Sequence, residues 1–250
     1  MGSGQILFLG TGTAFNDDGR GSQAIWLAPA GGPPFLVDIG PTAMSAARRY
    51  GAPLEQLDRL LVTHLHGDHT AGWPFLLLHW VFAVRRTRPF DVHGPSGTRE
   101  CLEGLVRHCY GELLERHTFE IRYHEIPVES RDSLESGGLE LDVYPMQHHA
   151  SSIGYRLRVG ELRVAVSGDT AWCDSLERLG QGSDLLILEC TSAGPPLPAH
   201  VCLDEVRRGV ERLGAARVVL IHLPDAVAAE LARDPIPGVA AAHDGMKLEL

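Results

Sequence analysis

Short apolar runs separated by glycine- and proline-rich breaks dominate this chain, a rhythm of many brief strands with helices set between them. The pattern predicts strands over Gln5–Gly10 and over residues 23–28, 35–39 and 59–63. Residues 41–50 read as a helix, with Pro41 near its first turn and Gly51 as its stop. A second, strongly apolar helix is predicted over 70–84, where Pro74 is tolerable only near the start. A third covers 96–117, with Leu102, Leu105, Val106, Cys109 and Leu113 at helical spacing. Four consecutive strands follow, at 119–126, Leu139–Pro145, Ile153–Val159 and 162–167. The last third alternates: strand 185–188, helix Leu203–Leu213, strand Val218–Ile221, helix 226–233, then the Asp244-Gly245 turn into a strand at 246–250. Two stretches that each combine sheet and helix make the fold class mixed α/β, and periodicity alone takes it no further. With no linker, low-complexity tract or tandem repeat, residues 1–250 read as one domain.

Composition narrows the function classes. A chain of 250 residues can bury a sizeable core, and 44% apolar with 22% charged residues is ordinary for a globular protein. No apolar run approaches the roughly 20 residues that span a bilayer, so no membrane partner is expected. The first residues lack a basic flank and a signal-peptide core. Five cysteines, odd in number and without a CxxC pair, predict free thiols and a cytoplasmic location. Of these, Cys173 stands four residues after Asp169 and reads as a packed thiol. The net charge of -10 argues against extended nucleic-acid binding along a broad basic face, while leaving room for a small anion in one positive site.

Candidate chemistry concentrates in Thr63-His64-Leu65-His66-Gly67-Asp68-His69-Thr70-Ala71-Gly72. His64, His66, Asp68 and His69 fall within six residues, directly after the apolar run Leu60-Leu61-Val62. In an extended chain leaving a strand, His64 and His66 share one side. Imidazole and carboxylate suit zinc and its borderline neighbours, and three or four such ligands make a site.

This motif resembles the HxHxDH signature of the metallo-β-lactamase fold. Further blocks arrive in the family's order: Phe8-Leu9-Gly10-Thr11-Gly12-Thr13 with Arg20-Gly21-Ser22, His148 with Gly154-Tyr155-Arg156, Ser167-Gly168-Asp169-Thr170, His200, and Leu220-Ile221-His222-Leu223. The opening block is similar to the start of the ribonuclease Z-like and cyclic-phosphodiesterase branches. The resemblance implies a four-layer αβ/βα sandwich. It also implies two divalent metal ions, with His64, His66 and His148 on one, Asp68, His69 and His222 on the other, and Asp169 between them. Zinc is the first choice of metal, and such ligands also accept manganese or iron. His148 is preferred to its neighbour His149 because the family's ligand precedes a glycine by six residues, here Gly154. Asp68 and His200 are assigned catalytic roles. His200 stands 22 residues before His222, the spacing of the extra histidine in the phosphodiesterase-like branches, where it contacts the scissile phosphate or protonates a leaving oxygen. Glu189 could orient it. The remaining histidines, 79, 93, 108, 117, 124 and 243, lack ligand spacing. Arg85, Arg86 and Arg88, the densest basic group, read as a solvated helix end or as a clamp at the rim of the site.

Two divalent ions less two aspartates and a hydroxide leave a formal charge of about +1, suited to a compact anionic substrate. A metal-bridging hydroxide is available because bound metal lowers the pKa of water to about 7. The expected function is therefore a dinuclear metal-dependent hydrolase, a phosphodiesterase acting on a small anionic phosphodiester. The tRNA-gripping arm of authentic ribonuclease Z falls between the blocks of His148 and Asp169, an interval of only 21 residues here, so tRNA maturation is not expected. The alternative is a hydrolase of lactones, sulfate esters or other esters and amides on the same core. Redox chemistry of the flavodiiron kind would call for Glu where His66 stands. Self-association as a homodimer is compatible with all of these readings.

Overall fold

Alternation along the first strand, β1 (Gln5–Gly10), sorts its side chains into two cores. Ile6 and Phe8 enter one, while Leu7 and Leu9 enter another on the opposite face. The same division runs through the whole computed structural model, which describes residues 4–129, 134–136 and 139–250.

The strands following β1 are β2 (Ala24–Ala28), β3 (Phe35–Val37), β4 (Arg59–Leu61), β5 (Phe90–Pro95), β6 (Ile121–Ile126), β7 (Leu134–Ser136) and β8 (Leu139–Pro145). Then come β9 (Ile153–Val159), β10 (Leu162–Val166), β11 (Leu185–Glu189), β12 (Val218–Ile221), β13 (Val239–Ala241) and β14 (Lys247–Glu249). They form two seven-stranded sheets, in the orders β14-β1-β2-β3-β4-β5-β6 and β13-β12-β11-β10-β9-β8-β7. Each sheet joins an antiparallel portion to a parallel one, the change falling at β3 in the first and at β10 in the second.

Between the sheets lies an apolar layer with Ile6, Phe8, Ile25, Val37 and Leu61 on one side and Val143, Tyr155, Val164, Ile187 and Ile221 on the other. The outer face of the first sheet is covered by α1 (Ala43–Tyr50), α3 (Trp73–His79) and α4 (Thr98–Tyr110), through Ala47, Trp73, Leu76, Leu102 and Val106. The second sheet is covered by α6 (Asp174–Gly180), α7 (Leu203–Leu213) and α8 (Asp225–Arg233), through Leu176, Leu179, Val206 and Leu231. Two single-turn helices, α2 (Gly67–Thr70) and α5 (Leu113–Arg116), complete the set. The arrangement is the α/β four-layer αβ/βα sandwich expected of the metallo-β-lactamase fold.

The departures from the sequence pattern have local causes. The helix expected over 70–84 is split: α2 ends at Thr70, Pro74 starts α3 afresh in its first turn, and the segment Trp80–Val84 finishes as a π-helix. The helix expected over 96–117 breaks at Gly111, whose φ of 52° ends α4. Three elements escaped the pattern. The strands β7 and β13 have three residues each, and α6 has seven, too few for a periodic signal. Two strands stop early, β3 at Val37 and β4 at Leu61, and the residues beyond them, Asp38 and Thr63, turn into the loops that build the candidate site.

The basic group also needs correcting. Arg86 is neither solvated nor at a rim. It is buried, its guanidinium lies 4.6 Å from the Trp80 ring centroid, and it donates to the carbonyls of Arg88 and Pro89. This cation closes the helical layer of the first sheet.

Candidate metal centre

Six of the seven expected ligands follow strands directly or open the helix after one. His64 and His66 follow β4, and His66 is the N-cap of α2, whose single turn presents Asp68 and His69. Asp169 follows β10, His222 follows β12, and His148 lies in the turn from β8 to β9. The first sheet thus supplies four of these side chains and the second three, so the centre spans the two halves of the sandwich. Gly168 permits the closure: its φ is +60°, and a Cβ there would stand 2.7 Å from Thr63 Cβ. The N-terminal Gly-Thr-Gly block is fixed beside it, since Leu223 N–H donates to the Thr11 carbonyl at 3.0 Å and Asp244 accepts from Thr11 and Gly21.

Among the described residues facing ligand atoms form four overlapping groups: His64 with His66 and His148; Asp68 with His69, Asp169 and His222; and two that take in His200, one with His148 and Asp169, the other with Glu189 and His222. Asp169 joins the first two. Its Oδ2 lies 3.4 Å from His222 Nε2, 3.9 Å from His148 Nε2 and 4.0 Å from His64 Nε2, and its Oδ1 lies 3.4 Å from His69 Nε2. Asp68 Oδ2 lies 3.3 Å from both His69 and His222. His200 Nδ1 is 4.0 Å from Asp169 Oδ2 and 2.9 Å from Glu189 Oε1, so Glu189 holds that nitrogen. His149 is turned aside; its Nδ1 pairs with Ser151 Oγ at 2.8 Å. Cys173 packs in the outer core of the second sheet.

Protonation preferences follow from this crowding. Burial and neighbouring imidazoles depress His64, and burial also lowers His66 and His148. Burial acts in the same downward sense on His69 and His222, but the Asp169 charge, helped by Asp38 for His69 and by Asp68 for His222, raises both. Burial would raise the carboxyl of Asp169, yet His222 and His69 hold it well below the usual range. Asp68 is lowered too, because its hydrogen bond with His222 and the neighbouring His69 ring outweigh its burial. The carboxylates therefore demand positive charge at the point where the imidazoles converge.

Divalent cations meet that demand, and the donor set fits them. His64 Nε2 is buried with no hydrogen-bond partner. His69 Nε2 is in the same condition, close to two carboxylates but not aligned with either for a hydrogen bond. Buried nitrogens are normally satisfied, and leaving one bare costs about 1–3 kcal/mol. Two such atoms facing a shared aspartate are what a metal pair requires. His148→Ala should accordingly lose more bound metal than His149→Ala when both are reconstituted and counted; equal losses would reverse the choice between them.

Sequence reasoning passed over Asp38 and Thr191. Asp38 is fully buried and accepts from Thr63 N–H, Thr63 Oγ1–H and His69 Nδ1–H, each at 2.8 Å. Thr191 donates to Glu189 at 2.9 Å and stands 3.2 Å from His222 Nδ1. The available signal was an acid inside the apolar run Phe35-Leu36-Val37-Asp38-Ile39.

Residues 4–242 match a family model described as Anti-Pycsar protein Apyc1. A ribonuclease Z of Mycobacterium bovis (strain BCG / Pasteur 1173P2) is 33% identical over 199 residues, covering 73% of this chain and 69% of that protein. Among solved structures, the metallo-β-lactamase fold protein YhfI from Bacillus subtilis superposes with a TM-score of 0.81 over 100% of both chains at 21% identity. A diphosphatase from the PhnP family gives 0.76 at 22% identity, over 99% of this chain and 98% of its own.

Proposed function

Because this chain belongs to the Anti-Pycsar protein Apyc1 family, on the ribonuclease Z/PhnP-like branch of the metallo-β-lactamase fold, we propose that its substrate is a small anionic phosphodiester. The chain is a metal-dependent hydrolase of the phosphodiesterase kind, and its site is dinuclear. The observation that carries the substrate reading is the joining of two ligand groups through Asp169, inside a protein of net charge -10. A cation pair held there is a compact positive spot in an acidic surface, which favours a small anion over a long one.

In this reading His64, His66 and His148 would hold one cation and Asp68, His69 and His222 the other, with Asp169 available to both. Zinc suits these nitrogen and oxygen ligands, with manganese and iron as the alternatives. When bound, the pair supplies a water acidic enough to attack near neutral pH and charge to stabilise the phosphoryl oxygens. The protein's own part is positioning and proton transfer. Glu189 occupies His200 Nδ1, which leaves Nε2 as the ring atom that can deliver a proton to the departing oxygen. Asp68, between His69 and His222, keeps both imidazoles turned inward.

One feature favours a small substrate over tRNA. The interval between His148 and Asp169 is filled by β9, β10 and the turn at Gly160-Glu161, with no insertion. Among the described residues no helix is long and apolar enough to cross a membrane. Five free cysteines support a cytoplasmic location. One domain over residues 1–250, able to pair as a homodimer, belongs to the same reading.

The test is a hydrolysis panel on metal-loaded protein. It compares bis-p-nitrophenyl phosphate and cyclic nucleotides with a lactone, a sulfate ester and a cephalosporin. Turnover confined to the phosphodiesters is expected; preference for the lactone or the sulfate ester would move the chain to the alternative chemistry.

A further inference from the structure

His149 stands at the exposed side of the candidate metal centre and belongs to none of its ligand groups. Its ring centroid lies 5.1 Å from that of His66, at an interplanar angle of 55°. Behind the ring, the turn is tied down by two buried serines. Ser152 Oγ accepts the His149 amide at 3.0 Å, and the Ser152 amide donates to the His149 carbonyl at 2.9 Å. Ser151 Oγ stands 2.8 Å from His149 Nδ1, and the Ser151 amide donates to the same nitrogen at 3.3 Å.

The Ser151 amide fixes the direction of these bonds. A backbone N–H can only donate, so His149 Nδ1 is an acceptor and carries no proton. The Ser151 hydroxyl then donates to it as well, and the ring proton sits on Nε2. The preceding residue is held the opposite way. His148 Nδ1 faces the Ala199 carbonyl at 3.1 Å, and a carbonyl can only accept, so this ring is protonated on Nδ1 and keeps its lone pair on Nε2. Two successive histidines thus offer a lone pair suited to a cation and an N–H suited to an anion. No group among the described residues engages His149 Nε2. His200 lies beside other rings, with centroids 4.6 Å from His148 and 5.8 Å from His222.

We propose that His149 is a substrate-binding residue whose Nε2–H donates to a phosphoryl oxygen of the anion held at the metal centre. The assignment rests on the phosphodiester reading above and deepens it. His200 serves the departing oxygen, whereas His149 donates a neutral hydrogen bond to an oxygen that stays, before and during the reaction alike. Such a contact strengthens binding without favouring the transition state, so its loss raises KM and leaves kcat little changed. Ser151 is the positioning residue that keeps the proton on Nε2.

The test compares metal-loaded wild-type protein with His149→Ala, His149→Gln and Ser151→Ala. Metal is counted, kinetics are measured on bis-p-nitrophenyl phosphate, and inorganic phosphate is titrated by calorimetry. A hydrogen bond to a charged group typically contributes about tenfold or more. His149→Ala is expected to keep its metal and its kcat, and to raise KM and the phosphate Kd by about that factor. His149→Gln places an amide N–H near the lost Nε2–H and should recover most of the affinity, with Ser151→Ala falling between. In wild type, 15N NMR should show the neutral His149 ring protonated on Nε2. Unchanged KM and phosphate affinity in His149→Ala, no advantage of Gln over Ala, or a neutral ring protonated on Nδ1 would overturn the proposal. Metal loss in His149→Ala would also overturn it, by making His149 a ligand. Wild-type protein that neither binds phosphate nor hydrolyses the phosphodiester would instead sink the proposed function, so the two failures are distinguishable.

Discussion

His200→Ala is expected to keep both metal ions and to lose turnover by about 10²–10⁴-fold, the usual contribution of a general acid or base. The expectation follows from how the ring is held. His200 Nδ1 is 2.9 Å from Glu189 Oε1, and Glu189 is itself fully buried and tied to Thr170 N–H and the Thr191 hydroxyl. Burial alone would lower the pKa of His200, but the bond and charge of Glu189, with Asp169 and Asp68 beyond, raise it. A ring so held suits proton delivery. The loss should be large for alkoxide or nucleoside leaving groups and small for p-nitrophenolate, which departs without protonation. Metal counting and steady-state kinetics on the two leaving-group classes check this. Near-normal rates on every substrate would make His200 structural. Metal loss together with activity would make it a ligand, an outcome its 4.0 Å approach to Asp169 makes worth measuring.

The candidate ligands stood out in the sequence because metal chemistry constrains residue type and spacing together. His64, His66, Asp68 and His69 had to share one loop, and the apolar run before them marked the strand that aims it. Asp169 and His222 were legible for the same reason, each directly after a buried strand. The residues that hold these candidate side chains were not. Asp38 looked like one more position in the strand predicted over 35–39, since its left-handed turn depends on Thr63 and His69, distant in sequence by 25 and 31 residues. Thr191 carries no spacing signal at all. Arg86 misled in the opposite way: its neighbours in sequence are basic and exposed, whereas its neighbours in space are Trp80, Phe90 and Phe119. Hydrophobic periodicity recovered most strands and the long helix α7, but it failed where Pro74 and Gly111 divided apolar stretches into separate helices.

Removing the metals should have the largest effect of all. Without them the chain keeps the carboxylates that gather substrate-side protons but has no group to acidify water, so chelated protein should show no measurable hydrolysis. Stability should fall as well. A ligand that binds only the folded state stabilises it by about 4 kcal/mol at a free concentration a thousand times its Kd, so the melting temperature should rise with added metal. Reloading should release protons, because neighbouring carboxylates raise His69 and His222 and a cation bound there would compete with a proton for each ring. The most direct measurement is a titration of metal-free protein with zinc while hydrolysis of bis-p-nitrophenyl phosphate is followed. The dinuclear account predicts that activity climbs until two equivalents per chain are bound and then levels; full activity at one equivalent would contradict it.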